Sequence, residues 1–257
     1  SRDRDTKLYL DHRSGVKEFS HSLGRNLPFD CDSLRPISDI RRISVNRRKF
    51  INFFIEHFQE KHGAMSDLST LERDLASLIG RPTDLRPFVC HGSPLDCEVF
   101  IVGLNPASPM RDDFWNFWCP GFGFDKPRWL EAYKAERSSR PLKPGRTRRN
   151  VISNSRRVIE WINAALGEVK SLETNVYSTP TEDLCDLEQR LRITAPFDFL
   201  VDRIKPRVVI VHGNEAIAHV RQKQPHFEIV EVNHFSRGWS AKSATDLGHR
   251  VRTFLGR

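Results

Sequence analysis

Long apolar runs are missing from this chain: stretches such as Val208-Val209-Ile210-Val211 span a few residues, where a membrane-spanning helix needs about 20. A transmembrane helix is therefore excluded. Cysteine is scarce and unpaired in pattern. The five residues Cys31, Cys90, Cys97, Cys119 and Cys185 form no Cys-x-x-Cys, which argues against a disulfide framework and against a zinc or iron–sulfur site. Free thiols and a reducing compartment are expected, either a cytoplasm of the bacterial nucleoid type or another intracellular space. No Gly-rich loop with the spacing of a phosphate cradle occurs, which ranks an unrelated nucleotide-binding protein last. There is no internal repeat, no low-complexity tract and no leader pattern, and Ser1 reads as a truncation point.

What is present is a basic chain of 257 residues with formal net charge +8 and 38% hydrophobic residues, too apolar to stay unfolded. The charge is concentrated. Between Arg137 and Arg157 lie Arg137, Arg140, Lys143, Arg146, Arg148, Arg149, Arg156 and Arg157 without one acid, so the rest of the chain balances. A second acid-free cluster comprises Arg41, Arg42, Arg47, Arg48 and Lys49. Such blocks attract polyanions, because each neutralised phosphate releases condensed counterions.

Residues 1–36 are polar and read as an extension, leaving 37–257 as a single domain with N-terminal helices over 37–87 and a basic insertion over 137–157. Phe50, Phe53, Phe54 and Phe58, then Leu68, Leu71, Leu75 and Leu78, recur at helical spacing. Short β-rich runs follow at Glu98–Val102, Leu172–Tyr177, Arg207–Val211 and Phe227–Val232. They alternate with helical patterns from Val151 to Ala165, Phe197 to Ile204, Ala216 to Val220 and Leu247 to Leu255. This alternation predicts an α/β fold in three layers, a mostly parallel sheet with helices on both faces and functional groups at the strand carboxyl ends.

Two strand ends carry polar groups suited to chemistry: Asn105 in Gly103-Leu104-Asn105-Pro106-Ala107-Ser108, and His234 in Asn233-His234-Phe235-Ser236-Arg237. These segments resemble the two motifs of the uracil-DNA glycosylase superfamily. The first has the Asn-containing form of the mismatch-specific and single-strand-selective branches, and the second is similar to the superfamily's His-Pro-Ser. Asn175 stands at a strand end where the family keeps a base-reading asparagine, and Val208 to Gly213 resembles the strand-glycine element beneath the site. The likeness runs from about Phe88 to Trp239. It departs in Phe235, where the family has proline, and in Ala107, where the major uracil enzymes have tyrosine and the Asn-type branches glycine.

The resemblance implies a uracil-DNA glycosylase-like fold and hydrolysis of the N-glycosidic bond of uracil or a 5-modified pyrimidine rotated out of DNA. Asn105 would hold the attacking water and His234 would donate a hydrogen bond to the leaving base. Gly103, Leu104, Ala107 and Asn175 would contact the base, with Phe117 or Trp118 stacking on it. The small Ala107 would leave room for a bulky 5-substituent. Ser236 would clamp a phosphate and Arg237 would fill the gap left by the extruded base, while Arg146, Arg148 and Arg149 would grip the backbone. No lysine follows either motif in a position that suggests Schiff-base chemistry, so built-in strand cleavage is not expected, nor is any cofactor or metal. His91, His212 and His219 read as structural. The expected partner is single- or double-stranded DNA, met by a monomer away from membranes. The alternative, kept by Phe235, is a module of the same fold that binds damaged or abasic DNA without turnover.

Overall fold

The computed structural model describes residues 67–257 apart from 108–109, 143–144, 146, 149, 182–183 and 224–225, all within a compact unit spanning Asn52–Arg257. The polar extension, the Arg41–Lys49 cluster and the phenylalanine helix expected around Phe50 to Phe58 lie outside the described residues. Helix α1 covers residues 67–79 and buries Leu68, Leu71, Leu75 and Ile79. Leu78, assigned to the apolar stripe by its spacing, is exposed, because the stripe drifts onto Ile79 at the last turn.

The sheet is built from five strands, β1 (Phe88–Val89), β2 (Val99–Gly103), β5 (Ser171–Asn175), β6 (Val208–His212) and β7 (Glu228–Val232), in the order β1-β5-β2-β6-β7. All pairings are parallel except β1 with β5. The two central strands are buried along their whole length, as the continuous apolar runs of a parallel sheet covered on both faces require. Alternate residues then feed two cores. Phe100, Val102, Leu172, Val209 and Val211 pack against α1, α4 (Ala195–Ile204) and α5 (Asn214–Gln222). Val99, Ile101, Val208 and Ile210 pack against α3 (Asn154–Leu166) and α6 (Ala241–Phe254). The expected three-layer α/β architecture is present.

Besides strand β1, a helix and a hairpin were not foreseen. Helix α2 (Lys126–Ser139) occupies the ground between the aromatic segment and the basic loop, and a short hairpin, β3 (Trp118–Cys119) and β4 (Gly123–Phe124), closes that segment. The basic insertion is thus the end of α2, a connection over residues 140–153, and the first turn of α3.

After β2 the chain enters β5 on one side and, later, β6 on the other, so the sheet reverses direction of growth at β2. A crevice outside the carboxyl end of β2 follows from that order. Among the described residues no helix is long and apolar enough to cross a membrane.

Candidate functional site

The loops leaving β2, β5, β6 and β7 meet around one cavity of about 260 Å³, whose wall includes Gly103, Asn105, Ala107, Asn175, His212 and His234. This is just below the roughly 300–1,000 Å³ of sites for drug-sized ligands, a size suited to one small ring system with room for a substituent. The β2 and β5 loops are stitched together beyond the sheet: Val176, Tyr177 and Thr181 donate their N–H groups to the carbonyls of Gly103, Leu104 and Pro106 at 3.0, 2.9 and 3.1 Å. On this support Asn105 Nδ2 donates to Thr181 Oγ1 at 2.8 Å, which leaves the Oδ1 acceptor for a water or ligand.

His234 is held differently. The backbone N–H of Ser236 donates to His234 Nδ1 at 3.2 Å, with Ser236 Oγ 2.8 Å from the same nitrogen. A nitrogen that accepts carries no proton, so the neutral ring holds its hydrogen on Nε2 as a donor. Partial burial and then the Arg237 charge lower its pKa from the ordinary histidine value, which favours that neutral form. Phe235 is fully buried. Its ring stacks on His212 at 4.2 Å and meets Trp239 edge-on at 5.2 Å, and Trp239 Nε1 donates to the Asn233 carbonyl at 3.2 Å. His234 is therefore flanked by a core side chain at Phe235 and a hydrogen-bonded carbonyl at Asn233.

Two glycines make space. A Cβ on Gly103 would lie 2.7 Å from Asn175 Oδ1 and 3.0 Å from His212 Nε2, so any other residue would displace both. Gly213 adopts φ of 89°, and a Cβ there would stand 3.3 Å from the His234 ring.

The remaining expected residues divide. Phe117 is on the cavity wall with Phe114 and Phe124, whereas Trp118 is packed away from it against Phe88 and Trp115. Leu104 joins the core rather than the wall. Ser236 and Arg237 are exposed beside His234, and neither lines the cavity. Arg148 is exposed; Arg146 and Arg149 lie outside the described residues.

Sequence reasoning missed part of the wall. His212 is buried at 8% exposure and lies 4.9 Å from His234, edge to face, although its position at a strand end before Gly213 carried the same signal as Asn105. Glu173, whose side chain is 6% exposed, is a carboxylate buried between Leu172 and Thr174 in β5. Lys126 Nζ meets it at 2.8 Å, Asn163 Nδ2 donates to it at 3.0 Å, and Arg156 bonds to both Glu173 and Glu160. Burial disfavours each of these charges, but their mutual attraction outweighs it. Glu173 is held below its ordinary pKa, and Lys126 and Arg156 are held above theirs. The guanidinium of Arg86 also reaches the wall while donating to the carbonyls of Met110 and Asp112, which ties down the loop beyond Ala107. Among the described residues no three His, Cys, Asp or Glu side chains gather as a metal site.

No family model and no curated protein matches the chain.

Proposed function

We propose that the protein is a monofunctional DNA glycosylase that releases uracil or a 5-modified pyrimidine from a nucleotide turned out of its stack. The observation that carries this reading is the convergence, on one base-sized cavity, of an acceptor on Asn105, the side-chain amide of Asn175 and a fixed Nε2–H donor on His234. As the glycosidic bond stretches, the sugar gains positive and the base negative charge. A donor whose orientation is already set stabilises that negative charge without reorganising. The sugar cation is electrophilic enough for a positioned water, so an amide that orients the water serves in place of a strong base.

A mostly parallel sheet covered on both faces, with the site at its strand carboxyl ends, is the architecture that the motif resemblance implies. Ala107 on the wall and the reach of the cavity past Phe117 toward α2 support a pocket that admits 5-substituents. The buried Phe235 supports turnover over the non-catalytic alternative, because the replacement of proline leaves the His234–Ser236 pair formed.

The test uses end-labelled oligonucleotides carrying uracil, mismatched thymine or 5-modified pyrimidines, followed by alkali to break abasic sites. Cleavage is expected, with losses of about 10²- to 10³-fold in Asn105→Ala and His234→Ala, typical of removing one preorganised group. DNA binding with no cleavage on any substrate would instead favour the binding module.

A further inference from the structure

Two histidines line the cavity among the described residues, and they differ in one respect. His234 Nδ1 accepts from the Ser236 N–H, so its tautomer is set by the protein. His212 Nδ1 is buried without a hydrogen-bond partner among the described residues, so none of them sets its tautomer. A hydrogen on Nδ1 and a lone pair on Nδ1 are both unpaired there, and neither tautomer gains a protein hydrogen bond over the other. Its other nitrogen faces the floor of the cavity at Gly103, across from Asn175 Oδ1, where the missing side chain of Gly103 leaves both polar atoms accessible to one ligand.

An amide and an imidazole side by side suit the edge of a pyrimidine. That edge carries a ring nitrogen flanked by an exocyclic group, which is an acceptor in 4-keto bases and a donor in 4-amino bases. We infer that His212 is a specificity-determining residue that reads this exocyclic group in either form, donating from Nε2–H to a keto oxygen and accepting at Nε2 from an amino group. Asn175, which has no side-chain partner among the described residues, turns its amide to match. The site thereby accepts 5-modified cytosines as well as uracils, and the choice between bases falls to the 5-substituent. Burial keeps the His212 ring neutral, as both binding modes require. The stack on Phe235 holds the ring plane without consuming either nitrogen.

This inference rests on the glycosylase reading, and two measurements separate their failures. The first is the ¹⁵N spectrum of histidine-labelled wild-type protein titrated with free uracil and with free cytosine. His212 is expected to carry its proton on Nε2 with uracil and on Nδ1 with cytosine; the same tautomer with both bases, or no response of His212 to either, overturns the inference. The second compares kcat/KM on uracil and 5-modified cytosine in DNA. His212→Phe keeps a ring on Phe235 and is expected to lose about 10-fold or more on both substrates, while His212→Gln, whose amide both donates and accepts, stays within a few-fold of wild type. Full activity in His212→Phe overturns the reading role and leaves a packing role. A wild-type protein that releases no base from any DNA sinks the glycosylase reading, while the titration still decides whether His212 reads a pyrimidine.

Discussion

Protonating His234 would place a hydrogen on Nδ1, where the Ser236 backbone N–H already points, so the charged ring breaks the contact that orients it. For the proposed glycosylase the active form is therefore the neutral one, and the acid limb of its rate is expected to follow the His234 pKa. That pKa lies below the ordinary histidine value through partial burial and the charge of Arg237. Removing a positive charge raises it. Arg237→Gln is expected to move the acid limb of kcat/KM to higher pH with little change on the alkaline side, read from a pH–rate profile on a uracil oligonucleotide. A limb that stays in place would remove Arg237 from the electrostatics of the site. The titration of His212 bears on stability. Burial, then the neighbouring His234, pushes its pKa down to about 3 from 6.5. Between those values the unfolded chain binds a proton that the folded chain refuses, so stability falls as pH drops through this window, by at most about 1.4 kcal/mol per unit. Urea midpoints measured from about pH 6 to about pH 4 should fall less steeply in His212→Phe than in wild type.

At the scale of elements, the back of the sheet depends on one close approach. On α6, a Cβ at Gly248 would stand 2.6 Å from Ala165 Cβ and 2.8 Å from the Ile162 carbonyl on α3. Alanine is the better helix former by about 1 kcal/mol, yet here it must push two packed helices apart. Gly248→Ala is expected to lower stability by about 1–3 kcal/mol in a thermal or urea transition, and a stabilised variant would contradict the packing. The elements differ in how openly the sequence announces them. Val99–Gly103 and Val208–His212 are almost wholly apolar, and their burial on both faces follows from that run alone. Helix α2 is hidden because only Trp129 and Tyr133 of its residues are buried, too few to set a period. Strand β1 has two residues and exists through its pairing with β5. Phe254, within the apolar pattern that runs from Leu247 to Leu255, is 60% exposed, and Leu255 beside it takes the buried place. The site follows the same division. Asn105, Asn175 and His234 are legible because polar residues at strand ends gather wherever the sheet is parallel. The Glu173–Arg156–Lys126 network is not, because its members are brought together by the crossover through α2 and α3.

Over the whole molecule, the +8 charge divides by what each side chain already holds. Within the acid-free block, Arg156 is buried against Glu173 and Glu160, Arg140 pairs with Glu136 at 3.6 Å, and Arg137 donates to the Asn150 carbonyl at 3.3 Å. These three belong to the fold. Arg148 is exposed and rides on the connection between α2 and α3, whose end at Ser153 lies on the cavity wall. On the proposed glycosylase reading, a connection so placed would meet the phosphates flanking an extruded base. Replacing Arg146, Arg148 and Arg149 together by Gln should therefore weaken binding to all DNA sequences alike. It should also flatten the plot of log K against log salt by about 0.9 for each phosphate that is no longer neutralised, without changing which base is released. Arg156→Gln is the contrasting variant. It strands part of the Glu173 charge inside the protein, so its effect is a loss of stability, about 3–5 kcal/mol for a broken buried pair, while the salt slope stays that of wild type. A triple variant with an unchanged slope would reduce this basic connection to an ordinary solvated loop, and an Arg156 variant with a flattened slope would put that guanidinium on the DNA.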